Sequence, residues 1–346
     1  MILSNKIKVM IVDDSALVRR VLSRELEKCP VIEIINTAPD PYVAREMITK
    51  NKPDVMLLDI EMPRMDGITF LRKIMQNFPI PTIIVSSLAQ QSSQLALEAL
   101  RCGAVDVVTK PCEAYSIEEV IPLLIEKIKT AVLVNVKKIQ IQTSSSTAFA
   151  KITSFTATTN RILVIGSSTG GTVALERILP SLPKNAPGTL VVQHIPAGFS
   201  RTFAERLNTI CDVTVKEAKD GDSVVTGQVL IAPGNYHMWL KRDGGRYEVK
   251  IGNGEPLHYQ RPCVEHLFNS TAEQAGKSAV GVILTGMGGD GAEGLLKMKK
   301  AGARTIAQDE ASSVVWGMPG SAVKLNAAEF VLPLDKIVPK AMELLK

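Results

Sequence analysis

Twice along this chain, short apolar runs alternate with segments of helical spacing, and a stretch with neither pattern separates the two alternating blocks. Strands that alternate with helices pair in parallel and need helices on both faces of their sheet. In residues 1–130 the strands fall at Lys8–Val12, Ile32–Asn36, Asp54–Asp59, Thr82–Ser86 and Val105–Thr109. The helices between and after them fall at Ser15–Cys29, Pro41–Lys50, Ile68–Gln76, Ser92–Arg101 and Ile117–Thr130. This block predicts a five-stranded parallel α/β domain. Residues 131–159 continue the last helix over Ala131–Ile139 and then run as Ser/Thr-rich chain without periodicity, which reads as a linker. Residues 160–346 restart the alternation with strands at Arg161–Gly166, Thr189–His194, Val213–Glu217, Val229–Ala232, Val280–Thr285 and Arg304–Ala307. This predicts a second doubly wound α/β domain. Asp243-Gly244-Gly245, between Met238–Lys241 and Tyr247–Ile251, reads as a β-hairpin inserted in that sheet.

Composition removes several function classes. The net charge of +5 is spread as −1 over residues 1–130, +3 over the linker and +3 over residues 160–346. Neither domain is basic enough for a phosphate-backbone partner, so no nucleic acid is expected. No apolar run approaches the ~18–20 residues of a membrane span, and the N-terminus lacks a signal-peptide layout. Cys29, Cys102, Cys112, Cys211 and Cys263 form neither a disulfide framework nor a CxxC pair. A cytoplasmic chain without membrane insertion is the expectation.

Two constellations fall at strand ends, which in such sheets open onto one edge. Asp13 and Asp14 end the first strand, Asp59 the third and Ser86 the fourth, while Lys110-Pro111 follows the fifth. Converging carboxylates repel one another unless a hard cation such as Mg²⁺ neutralises them. A Lys and a hydroxyl beside them are what a phosphorylated carboxylate needs. Helix capping would account for Asp14 alone. The segments IVDDSALVRR, LLDIEMPRMDG, VSS and VTKP make residues 7–130 resemble the response-regulator receiver domains, which are flavodoxin-like. The resemblance implies that Asp59 accepts phosphate from a histidine kinase. It further implies that Asp13, Asp14, Asp59 and the carbonyl of Glu61 hold Mg²⁺, and that Ser86 and Lys110 contact the phosphoryl oxygens. Val107 stands where many receivers carry an aromatic switch residue.

In the second block, Gly166-Ser167-Ser168-Thr169-Gly170 fits GxSxG between a strand and the helix Thr172–Ile178. Such a turn exposes a hydroxyl and offers helix N-terminal N–H groups to an oxyanion, although Gly-rich turns of this type also cradle phosphates. His194 ends the next strand, where an imidazole can act as general base on Ser168. Asp290, in LTGMGGDGAEG, could orient that imidazole or cap the helix Ala292–Lys300. The order Ser–His–Asp differs from the Ser–Asp–His of α/β-hydrolases. With GSSTGG, VQHIPAGFS, IAPGNYHM, RPCVEHLFNS and AQDEASSVVWGMPGSAV, it makes residues 160–346 similar to the chemotaxis protein-glutamate methylesterases.

That resemblance implies Ser168 as nucleophile, His194 as base and acid, Asp290 as its orienter, and Met287 and Thr169 as backbone oxyanion donors. It also implies a substrate on methyl-accepting chemotaxis receptors, glutamine deamidation as a second activity and no cofactor for the esterase. Gly289 and Ser167 replace an Asn and an Ala common in the family. Arg261 and Phe268 are expected beside the substrate groove by family position. His237, His258 and His266 match no zinc spacing and read as ordinary residues, Met238 and Trp239 as strand packing, and Cys263 as an inert helix-start residue. A receiver that covers the Ser168 cleft until Asp59 is phosphorylated is the expected regulation. A response regulator with a binding output, or a nucleotide-binding enzyme, would fit the same outline without the resemblance.

Overall fold

The computed structural model describes residues 6–111, 116–136, 160–257 and 260–346. The chain divides into two compact units, Met1–Ser145 and Ser146–Lys346. In the first, β1 (Ile7–Val12), β2 (Ile32–Ala38), β3 (Val55–Leu58), β4 (Thr82–Ser86) and β5 (Asp106–Thr109) form a parallel sheet in the order 2-1-3-4-5. Strands β3, β4 and β5 are wholly buried and β1 nearly so, as expected for a sheet sandwiched between helices, while the edge strand β2 is only partly covered. The helices are α1 (Ala16–Leu26), α2 (Pro41–Lys50), α3 (Gly67–Asn77), α4 (Gln90–Arg101) and α5 (Ile117–Ala131). Three of them start on residues that the carboxylate-rich loops supply: Ser15, Asp40 and Asp66 each accept an N–H of the first turn. Val12 pairs with Leu58 across β1 and β3, so the residues that follow them, Asp13 and Asp59, emerge side by side.

The second unit is a seven-stranded, all-parallel sheet. Its strands are β6 (Ile162–Ser167), β7 (Gly188–Gln193), β8 (Thr214–Glu217), β9 (Gln228–Ile231), β12 (Ala279–Ile283), β13 (Arg304–Gln308) and β14 (Phe330–Leu332), in the order 14-13-12-6-7-9-8. Helices α6 (Gly171–Ile178), α7 (Phe199–Ile210), α8 (Val264–Gln274), α9 (Ala292–Lys300), α10 (Met318–Lys324) and α11 (Leu334–Leu344) complete it. The central trio β12, β6 and β7 carries the loops that hold Asp290, Ser168 and His194.

Four expectations change. The hairpin, β10 (His237–Asp243) with β11 (Arg246–Gly252), is an antiparallel ribbon of its own and not part of the main sheet. Its inner face, Met238, Leu240, Tyr247 and Val249, packs with Val264, Leu267 and Phe268 of α8. The edge strand β14 is three residues long, too short to carry a periodicity. Helix α1 stops at Leu26 instead of Cys29, with Cys29 N–H turned back to the Leu26 carbonyl. Helix α5 ends at Ala131, where Leu133 N–H closes a turn onto Thr130; residues 137–139 lie outside the described residues, as does most of the expected linker.

Candidate active site and phosphoacceptor cluster

At the C-terminal edge of the first sheet, carboxylate oxygens of Asp13, Asp14 and Asp59 all lie within 4.8 Å of one another. Asp13 and Asp59 are buried, and Asp14 is exposed. Lys110 reaches both buried acids, with Nζ 2.7 Å from Asp59 Oδ2 and 2.8 Å from Asp13 Oδ2. Burial lifts the Asp59 carboxyl above its ordinary value, against the opposing Lys110 ammonium, and the nearby Asp13 charge adds to the rise. Burial pulls Lys110 down, but its two carboxylate partners outweigh that and hold it above its ordinary value. Glu61 N–H donates to Asp59 Oδ1 at 3.3 Å, which sets the Glu61 backbone beside the cluster. The Ser86 hydroxyl is buried with no hydrogen-bond partner among the described residues.

One ammonium for three carboxylates leaves the cluster net negative, and its donors are all oxygen. Such a set suits a hard divalent cation, and Ser86 offers a further polar group that the protein itself leaves unused. Arg19, not singled out by the sequence, donates to the carbonyls of Asp13 (2.7 Å) and Asp14 (3.0 Å) and braces the acidic turn from behind.

In the second unit, β6 runs straight into the serine turn. Ser168 N–H donates to the Thr285 carbonyl at 3.0 Å, and Gly171 N–H closes the turn on the Ser168 carbonyl at 2.7 Å. Gly170 has φ of +79°, and a Cβ there would lie 2.7 Å from Val314 Cβ. A side chain at this position would meet both strain and a clash. Ser168 is 4% exposed, and its Oγ lies 3.1 Å from His194 Nδ1. His194 Nε2 lies 2.7 Å from Asp290 Oδ2. With the proton on Nε2 and given to Asp290, Nδ1 carries the lone pair that faces Ser168.

Asp290 does not cap α9: that helix begins at Ala292, with Gly291 at its N-cap and no side-chain cap. Its carboxylate instead accepts N–H groups from Val264 (2.8 Å) and Glu265 (3.0 Å), the first two residues of α8, and the thiol of Cys263 (3.0 Å). Burial works against its charge, yet the bonds from His194, Cys263 and Val264 outweigh it and hold the carboxyl down at about 2. Burial, with the Asp290 charge beside it, pushes the Cys263 thiol far up, so it is a donor and not a nucleophile.

Two backbone units flank Ser168. The Gly286 carbonyl accepts from Gly317 N–H (3.0 Å) and Met318 N–H (2.9 Å). A trans peptide then points the Met287 N–H the opposite way. Gly286 itself packs against Ser168, since a Cβ there would lie 2.7 Å from Ser168 Cβ. The Ser168 carbonyl is held likewise by Gly171 N–H and by Gln193 Nε2 (2.9 Å), which fixes the Thr169 N–H direction. Gln193, Cys263 and Thr285 were not among the sequence candidates for roles at this site. Gln193 alone left a signal, a polar residue in the buried run LVVQ.

Other expectations divide. Phe268 is fully buried beneath Gly166 and Gly291, in the core and not beside a groove. Arg261 spends its guanidinium on Asn235 Oδ1 (2.9 and 2.6 Å) and the Gly254 carbonyl (2.9 Å). Met238 is core, and Trp239 packs its ring 5.4 Å from that of His266. His237 is buried and His266 stacks edge-on to it at 4.4 Å; His258 lies outside the described residues. Val107 is buried in β5.

Fold and site define the class: a parallel α/β domain that brings Ser168, His194 and Asp290 into one buried chain of contacts, as hydrolases do, and a receiver-type α/β domain with an acidic cluster. The family profile of the CheB methylesterases matches residues 163–341, and that of the response regulator receiver domain matches residues 9–122. The chain belongs to the CheB methylesterase family. It is 52% identical over 341 residues to a protein-glutamate methylesterase/protein-glutamine glutaminase of Syntrophus aciditrophicus, covering 98% of this chain and 99% of that one. It is also 52% identical over 346 residues to one of Sulfurimonas denitrificans, covering 98% of each. Among solved structures, the CheB methylesterase catalytic domain of Thermotoga maritima is 43% identical with a TM-score of 0.53, covering 54% of this chain and all of that one. No helix among the described residues is long and apolar enough to cross a membrane.

Proposed function

We propose that Ser168, His194 and Asp290 form the catalytic triad of a protein-glutamate methylesterase, with residues 160–346 as the catalytic domain, 131–159 as the linker and 1–130 as the receiver. The enzyme is a hydrolase of the CheB family, acting in chemotaxis under control of its phosphoacceptor domain. The observation that carries the triad is the buried chain of contacts from Ser168 Oγ to His194 Nδ1 and from His194 Nε2 to Asp290.

The chemistry follows from that chain. His194 takes the Ser168 proton as Oγ attacks the γ-carbonyl of a glutamate methyl ester on a chemoreceptor. The N–H groups of Met287 and Thr169 stabilise the oxyanion, each such donor being worth about 3 kcal/mol of barrier. His194 returns its proton to the departing methoxide, which leaves as methanol, and water attacks the acyl-serine by the same base. Asp290, held ionised by its donors, keeps the imidazole oriented and offsets the positive charge it gains with the Ser168 proton. A glutamine side chain entering the same way would lose ammonia instead, giving glutaminase activity.

In the receiver, Asp59 accepts the phosphoryl group from a histidine kinase. Asp13, Asp14, Asp59 and the Glu61 carbonyl would hold Mg²⁺, which when bound offsets negative charge on the cluster and on the phosphoryl oxygens. Lys110 pairs with the phosphoryl oxygens, and Ser86 donates to them.

Methanol release from methylated receptor membranes tests the reading. The intact chain should release methanol and Ser168→Ala should not; equal release from both would remove Ser168 from the reaction. A serine-directed organophosphonate should label Ser168 in the intact chain alone.

A further inference from the structure

We infer that Gln193 is a positioning residue of the esterase, whose amide clasps the main chains of nucleophile and base together. The inference deepens the proposed triad and rests on it. Gln193 ends β7 beside His194 and is 3% exposed. Its Nε2 donates to the Ser168 carbonyl at 2.9 Å and to the His194 carbonyl at 3.1 Å. Its Oε1 accepts from Ser167 Oγ at 2.7 Å. Carbonyls can only accept, so the nitrogen must face them and the orientation of the amide is settled by its partners. His194 N–H returns to the Ser167 carbonyl at 3.1 Å, which closes the ring of contacts between β6 and β7. A side chain at Gly171 would strike Oε1, so the amide lies tight under the start of α6.

Two consequences follow. The carbonyl of Ser168 shares a rigid plane with the N–H of Thr169, so the amide that holds the one aims the other. The carbonyl of His194 marks the strand end from which the imidazole leaves, so the same amide sets the base relative to Oγ. Gln193 touches no reacting atom. Its loss therefore acts on the turnover step through misplaced groups, where small displacements are costly.

The test uses the full-length chain and methylated receptor membranes. Gln193→Glu keeps the shape but turns a carboxylate oxygen toward two carbonyls. We expect kcat to fall by roughly 30–100-fold, below the ~10²–10³ of losing an oxyanion donor outright, with KM within about twofold. Gln193→Met, which lacks the donors without adding charge, should lose ~10-fold. Ser167→Ala should lose only about threefold, as one neutral hydrogen bond that leaves both N–H donors in place. A folded Gln193→Glu with kcat near that of the parent, or a change confined to KM, overturns the proposal. So does failure of both Gln193 variants to fold, which would make the residue a folding element. If the parent chain itself is not labelled at Ser168 by an organophosphonate, the triad reading fails and takes this inference with it, whereas a labelled parent with an unaffected Gln193→Glu overturns this inference alone.

Discussion

The two domains place their chemistry at the same feature of the same type of sheet, and solve the electrostatics there in opposite ways. The esterase edge is saturated: Asp290 receives His194, Cys263 and two N–H groups of α8, and its carboxyl stays at about 2. The receiver edge is short of compensation: three carboxylates share one Lys110, Ser86 has no partner among the described residues, and the Asp59 carboxyl is pushed up. A saturated site has its charge balanced within the fold and needs no added cation to hold its carboxylate. An undercompensated site is incomplete by construction and responds to what is added, a cation and a phosphoryl group. Catalysis and sensing are thus separated by how many donors each carboxylate has been given.

Ser168→Ala sharpens this contrast most. It should cut methanol release by at least ~10⁴-fold while leaving phosphate incorporation at Asp59 from a small-molecule phosphodonor at parental level. Asp290→Asn comes next, with an expected loss of ~10³–10⁴ in kcat, because the carboxamide cannot support the imidazolium and its nitrogen would face the N–H groups of α8. Asp59→Asn, or removal of divalent cations with a chelator, should abolish phosphodonor stimulation of methanol release and leave basal esterase rate unchanged. A basal rate that fell with chelation would break the separation of the two edges.

The smallest effect concerns His237, whose pKa burial lowers to about 4. The unfolded chain takes up this proton near pH 6.5 and the folded chain only near 4. Stability present above pH 6.5 is therefore lost as pH falls to about 4, by roughly 2–3 kcal/mol, and this group adds no further loss below that. His237→Gln should flatten the thermal unfolding midpoint over this window.

Much of both sites was legible in the chain because parallel sheets convert strand ends into a shared edge. Asp13, Asp59, Ser168 and His194 could each be placed by counting from an apolar run. What escaped was every contact made across the edge by residues with no local pattern. Arg19 looks like any helix-surface Arg, and Cys263 like any apolar residue at a helix start. Asp290 shows how such contacts mislead: its capping tendency was visible, but the helix it serves begins 26 residues earlier in the sequence, not two residues later. The hairpin was legible as a hairpin, but not as a separate ribbon, since strand alternation does not say which neighbour a strand will choose.

That ribbon has a consequence for the acid. It grips α8 through Met238, Leu240, Tyr247 and Val249, and through Leu240 N–H on Ser270 Oγ at 2.9 Å. The same helix presents its first two N–H groups to Asp290. A loosened ribbon would let that helix drift, and the imidazole's anchor would drift with it. Substitutions on the ribbon's inner face should thus be felt as slowed turnover before they are felt as unfolding.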